Sequence, residues 1–169
     1  MSTRGDKKTG SDFRLSEEIG VLKRREIEAR FIGPFVKKIE QELGKASIRK
    51  LLLETVIEIA KLQGTDLATK AGGQTLDHFA LLKEPWTRNG SLEIEVLKYS
   101  ETEYSFNVTR CKYAEMYREL GMEELGTLLS CARDFNMVNG FNENIKLSRT
   151  QTIMEGSSHC DFRYKMREL

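Results

Sequence analysis

The side chains with the most chemistry to offer crowd into the last third of this sequence: Cys111, Cys131 and Cys160, Asp134 and Asp161, Arg149 and His159. A thiol acts as a nucleophile only as thiolate. Cys111 stands where a predicted strand hands over to a helix, and a helix N-terminus lowers a thiol's pKa, which favours reactivity there. Cys131 and Asp134 lie three apart on a predicted helix, so their side chains are neighbours. Against the helix's apolar stripe, Leu125, Leu128, Leu129 and Ala132, Cys131 sits at the margin and Asp134 faces nearly opposite.

Strand parity sorts the rest. In a strand predicted over Ile145–Met154, Arg149 and Gln151 share a face with Ile145, Leu147 and Ile153. A guanidinium facing a core needs an anion or acceptors, because burying it unpaired is costly. Arg149 therefore pairs with an internal acid, sits at a sheet end in water, or anchors a ligand carboxylate through two parallel hydrogen bonds. On the following strand Cys160, Phe162, Tyr164 and Met166 form the apolar face, and His159, Asp161 and Arg163 point the other way. Parity puts Cys160 inside with Arg149, although a bulge after Gly156-Ser157-Ser158 would reverse this. A lone cysteine on an apolar face is more often packing than a nucleophile. His159 is the natural proton shuttle near neutral pH, but it lies on the wrong face. His78 and Asp77 read as surface residues.

The elements that must position these groups follow from periodicity. Ser16 is a plausible N-cap for a helix reaching Leu43, with Ile32, Phe35, Val36, Ile39 and Leu43 at helical spacing. Gly33-Pro34 should kink or divide it, and Gly44 should close it. A second helix, Ser47–Leu62, is apolar over a wide arc, reads as the central buried helix and ends at Gly64. Shorter helical pieces, broken at Gly72-Gly73, lead to a turn region from Pro85-Trp86 to Asn89-Gly90.

The period then changes to 2. Leu92–Val96 and Tyr104–Thr109 form a hairpin. Helices over Cys111–Leu120 and Glu123–Phe135 follow, then a turn at Asn139-Gly140 and a second hairpin. The expected fold class is α+β: a four-stranded, largely antiparallel sheet of two hairpins, with helices packed on it and a helical N-terminal half. Residues 1–12 read as a disordered leader and 13–169 as one domain.

Composition narrows the function. Twenty-seven basic and 26 acidic residues are interspersed, net +1, with no basic stripe for nucleic acid. No apolar run approaches the roughly 20 residues a membrane span needs, and the N-terminus shows no secretory signal. Three widely spaced cysteines without a CxxC fit a reducing, cytoplasmic setting. Two histidines are too few for a His-rich metal cage, although a mixed site of Cys131, His159, Cys160 and Asp161 is conceivable. No phosphate loop, nucleophile elbow or dinucleotide fingerprint occurs; no metal and no cofactor are expected, and a small-molecule substrate is what the resemblance carried by the longer strings implies. A homodimer is plausible if the sheet leaves helix faces uncovered.

Longer strings carry a resemblance. REIEARFIGPFVKKIEQELG, NVTRCKYAEMYRELG, LGTLLSCARD and FNENIKLSRTQTIMEGSSHCDFRY resemble the L-2-amino-thiazoline-4-carboxylic acid hydrolase family, over nearly everything after residue 20. The most specific piece is T-x-x-x-G-x-x-x-C-D-F-x-[YF], from Thr152 to Tyr164. The resemblance implies hydrolytic opening of a cyclic amidine to an N-carbamoyl-cysteine-like product. It places Cys111, Cys131, Asp134, Arg149, Thr152, Cys160 and Asp161 in the pattern, with Gln151 beside them. In the chemistry it implies, Asp134 or Asp161 holds the amidine and Arg149 the carboxylate. Cys160 or Cys131, or a carboxylate-activated water, attacks. The element order also looks like that of vinyl-4-reductase-type and trafficking-complex domains, which bind ligands or partners without catalysis.

Overall fold

The computed structural model describes residues 19–167. The expected leader and the Ser16 cap lie outside them. The chain begins with helix α1 (Val21–Leu43) and α2 (Lys45–Ala71), followed by α3 (Leu76–Leu81) and the short α4 (Glu84–Thr87). Strands β1 (Leu92–Tyr99) and β2 (Glu103–Cys111) lead into α5 (Lys112–Glu119), α6 (Glu123–Gly126), a π turn (Thr127–Cys131) and α7 (Arg133–Phe141). Strand β3 (Ile145–Ser148), a 3₁₀ turn (Ile153–Glu155) and β4 (Cys160–Met166) end the described chain.

The α+β architecture is the expected one. The sheet is antiparallel throughout, in the order β1-β2-β4-β3, so β2 and β4 form its centre. Their register sets Val108 opposite Cys160, Phe106 opposite Phe162 and Tyr104 opposite Tyr164. These six side chains alternate onto one face and pack against α2, α3 and α7, together with Ile145 and Leu147 of β3.

Several boundaries differ from expectation, each for a packing reason. Helix α1 is not divided at Gly33-Pro34. Its buried line is Val21, Arg25, Ala29, Gly33 and Val36, whereas Phe35 and Leu43 are exposed. Helix α2 runs straight through Gly64, and Leu51 and Ile59 on its expected apolar arc are exposed. It buries Val56, Ala60, Gly64 and Ala68 instead, a four-residue spacing of small side chains that lets α7 approach closely. Asn139-Gly140 is no turn, because α7 continues to Phe141.

Strand β3 stops at Ser148, six residues short of the expected Met154. Thr150 and Gln151 are drawn out of the sheet by hydrogen bonds to Asp161, and Thr152 then caps the 3₁₀ turn.

Candidate functional site

The π turn decides which groups meet. The Ala132 amide donates to the Thr127 carbonyl (2.9 Å), five residues back. One extra residue in the turn rotates everything after it by about 100° relative to an α-helix. Asp134, nearly opposite the leucine stripe by simple helical phase, is thereby turned inward. There Arg149 Nη1 donates to Asp134 Oδ2, and Arg149 Nη2 donates to the Cys131 carbonyl (3.2 Å). The Arg149 guanidinium also lies between the rings of Phe135 and Phe162, 5.1 and 5.3 Å from their centres. Arg149 is thus buried against an internal acid. The strand parity that pointed it inward does not apply, since β3 has already ended.

Around this pair lies a cavity of about 80 Å³, walled by Cys111, Cys131, Asp134, Arg149 and Cys160. Arg25 from α1 and Arg133 from α7 line it too. Arg25 is buried and pairs with Glu28. Arg133 has no carboxylate partner among the described residues, and its guanidinium donates to the Leu129 carbonyl (2.7 Å) and to Gln63 Oε1 (3.3 Å). Burial, with Arg25 beside it, pulls Arg133 down to about 10. Arg149 thus faces Asp134 and Arg25 faces Glu28, which leaves Arg133 as the lining guanidinium without a carboxylate partner among the described residues.

The three thiols are held neutral. Burial pushes Cys111 up to about 11, even though its Sγ caps α5 by accepting from the Ala114 amide (3.4 Å). The expected activation by the helix N-terminus is therefore overridden by desolvation. Burial also raises Cys131, with Asp134 adding to it, and raises Cys160, whose Sγ accepts from the Ile153 amide (3.2 Å). Burial pushes the Asp134 carboxyl up as well, against the opposing pull of Arg149.

The remaining candidates are elsewhere. Asp161 is on the opposite sheet face, accepting from the Thr150 amide (2.9 Å), the Thr150 hydroxyl (2.7 Å) and the Gln151 amide (2.9 Å). Gln151 turns its side-chain amide to His159 (3.1 Å to Nε2). Thr152 is buried, donating to Glu155 Oε2 (2.7 Å) and accepting from the Glu155 amide (3.1 Å). Gln151, Thr152, His159 and Asp161 thus tie the β3–β4 connection together rather than walling the cavity. Among the described residues no group of three or more His, Cys, Asp or Glu is placed to hold a metal ion.

Sequence reasoning passed over Arg25 and Arg133. The signal for Arg25 was present: it is the charged member of a four-spaced line of small and apolar residues on α1.

Asp161 makes a measurable contribution. Burial raises its carboxyl, but the three hydrogen bonds from Thr150 and Gln151 outweigh this and hold it below the ordinary 3.8. Its stabilisation is therefore present above that ordinary value and fades as pH falls through the lowered one. Asp161→Asn should cost about 1–2 kcal/mol at pH 7 in denaturant unfolding, and the difference from wild type should shrink as pH falls below 3.8. A loss that stays constant however far the pH is lowered would mean the charge is not what matters.

A sequence profile of the L-2-amino-thiazoline-4-carboxylic acid hydrolase family matches residues 24–164. The chain belongs to that family. No curated protein matches it in sequence. Two solved structures resemble this family member in fold. One is the phenol-responsive sensory domain of the transcription activator PoxR, with phenol: TM-score 0.52, 13% identity, 80% of this chain and 72% of that one. The other is a trafficking protein particle complex subunit 3 from Naegleria fowleri, covalently bound to palmitic acid: TM-score 0.51, 13% identity, 86% of this chain and 96% of that one. At that identity the likeness concerns the fold alone. No helix among the described residues is long and apolar enough to cross a membrane.

Proposed function

We propose that the cavity hydrolyses a small cyclic amidine bearing a carboxylate, of the 2-amino-thiazoline-4-carboxylate type, to an N-carbamoyl-cysteine-like product. The observation that carries this is the set of walls: the Asp134 carboxylate together with the Arg133 guanidinium, whose hydrogen bonds go to neutral acceptors. An amidinium matches Asp134, and a carboxylate matches Arg133. The cavity shares Val21, Arg25, Gln63 and Trp86 with a wider hollow of about 470 Å³. Arg24, Asp66, Lys70 and Arg88 line that hollow.

Neutral buried thiols argue for water as the nucleophile. Water bonds to the ring carbon between sulfur and the two nitrogens, and Asp134 takes its proton. The carbon–sulfur bond then breaks, the electron pair leaves on sulfur, and Asp134 returns the proton to it. The carbon keeps both nitrogens and its new oxygen as a urea carbonyl, and a substrate that entered as amidinium releases one proton to solvent. Arg149 keeps Asp134 oriented throughout.

The test is release of free thiol from 2-amino-thiazoline-4-carboxylate. Wild type is expected to release it, Asp134→Asn at least about a hundredfold more slowly, and Cys131→Ala and Cys160→Ala within a few-fold of wild type. Loss of activity in either cysteine variant would replace water by that thiol. A second reading has one observation in its favour: Arg149 and Asp134 already satisfy each other, as in a site that binds without turnover. Amidine binding by a wild type that releases no thiol would establish that reading, of a sensory or scaffold domain.

A further inference from the structure

The guanidiniums in the cavity wall differ in what holds them. Arg149 has the Asp134 carboxylate and Arg25 has that of Glu28. Arg133, at the start of α7, has an amide instead: its Nη1 donates to Gln63 Oε1 (3.3 Å) and its Nε to the Leu129 carbonyl (2.7 Å). A guanidinium accepts no hydrogen bond, so the atom that Gln63 turns to Arg133 must be its oxygen.

Two donors are left over. Neither Arg133 Nη2 nor Gln63 Nε2 makes a hydrogen bond among the described residues. Neither belongs to the sealed polar atoms without partners, which are Arg24 Nε and the hydroxyls of Tyr104 and Tyr117. Both side chains are half-buried and both line the cavity. Two N–H donors on one wall, one of them charged, suit the two oxygens of a carboxylate.

The place of Gln63 gives the site a direction. It stands on α2 beside Gly64, whose Cβ position the α7 backbone occupies, so the close approach of the two helices fixes it next to Arg133. Gln63 lines both the cavity and the wider hollow, whereas Asp134 lines the cavity and not the hollow. A ligand held at both ends therefore turns its carboxylate toward the hollow and its amidine away from it.

Charge explains why an amide serves here. Gln63→Glu keeps the shape of the side chain but hands Arg133 the acid partner that Arg149 and Arg25 already have. That wall would then be neutral, and the new acid would repel an incoming carboxylate. Glutamine satisfies one N–H and leaves the positive charge uncompensated, and Arg133, although burial pulls it down to about 10, keeps that charge at neutral pH.

We infer that Gln63 is the specificity-determining residue of this site: it keeps Arg133 an unneutralised cation, adds its own Nε2 donor beside it, and so selects cyclic amidines that carry a carboxylate over those that do not. The inference rests on the ligand proposed above and adds the residue that sets its charge selectivity.

The test compares kcat/KM for thiol release from 2-amino-thiazoline-4-carboxylate and from 2-amino-thiazoline, the same ring without the carboxylate, with calorimetric binding of both to the full chain. Wild type should favour the acid by about 100-fold, less than a fully buried polar site achieves because Arg133 and Gln63 are half-buried. Gln63→Glu should lower kcat/KM for the acid at least about tenfold, mainly through KM, and raise it several-fold for the ring without the carboxylate, whose cationic amidine no longer meets an uncompensated Arg133. Arg133→Met should abolish the preference for the acid. A role of Gln63 in folding alone would lower both substrates together.

Equal wild-type values for the two rings, or a Gln63→Glu variant that lowers both alike, would overturn the inference and leave the hydrolase reading intact. A wild type that binds the acid without releasing thiol, and loses that binding at least tenfold in Gln63→Glu, would overturn the hydrolase reading and leave the inference standing.

Discussion

Arg149→Met is expected to lower stability by about 3 kcal/mol at pH 7, among the largest effects a single change has here. The Arg149 side chain is 8% exposed and its partner Asp134 28%. Removing the guanidinium strands a half-buried carboxylate and leaves the Cys131 carbonyl with one donor fewer. Partial exposure of Asp134 puts the loss at the lower end of the range for breaking a buried pair, about 3–5 kcal/mol.

The pH dependence identifies the cause. Burial already raises the Asp134 carboxyl against the pull of Arg149, and without that pull it rises further. A carboxyl whose pKa is raised on folding holds its proton more tightly folded than unfolded. The variant's deficit is therefore full above the raised pKa and shrinks as pH falls through it. Arg149→Met combined with Asp134→Leu should recover most of the loss, because an apolar pair replaces the ionic one without a stranded charge. Denaturant unfolding of the three proteins at pH 5 and pH 7.5 checks this. A single variant as stable as wild type, or a deficit that grows on acidification, would show that the pair does not hold the site together.

The same pair shows how far the sequence could be read. Period-2 alternation in Leu92–Val96, Tyr104–Thr109 and Cys160–Met166 exposed the sheet and its inner face directly, because strand side chains alternate whatever surrounds them. Cys160, Phe162 and Tyr164 do share that face. Asp134 was misplaced because its direction depends on the one bond from Ala132 back to Thr127, and nothing in LLSCARD distinguishes a π turn from an α turn. Arg149 was pointed inward through a strand that does not extend to it. What ends that strand is Asp161, eleven residues on from Thr150, and periodicity carries no trace of such a bond. Thiol pKa values were equally out of reach: Cys111 does cap a helix as read, but the burial that outweighs the helix end is a property of the assembled fold.

Gly64→Ala should cost about 2–3 kcal/mol, and Gly140→Ala about as much, because the two glycines are where α2 and α7 touch backbone to backbone. A Cβ on Gly64 would lie 2.0 Å from the Met137 carbonyl oxygen, and one on Gly140 2.1 Å from that of Lys61. Neither obstacle is a flexible side-chain end, so the helices must separate, and overpacking of this kind outweighs the gain of about 1 kcal/mol that alanine brings to a helix interior. Separation moves Asp134 and Met137, which α7 presents to the cavity, so amidine binding should weaken along with stability.

Gly33→Ala supplies the contrast. There the added Cβ meets Met122 Sδ at 2.3 Å, a side chain with three rotatable bonds that swings aside at small cost. The helix propensity of alanine should leave that variant neutral or slightly more stable. In thermal unfolding the first two variants should melt roughly 4–12 °C below wild type and the third within a few degrees of it. Three variants with the same midpoint would mean that α2 and α7 are not pressed together at Gly64, and the cavity wall that α7 carries would lose its anchor.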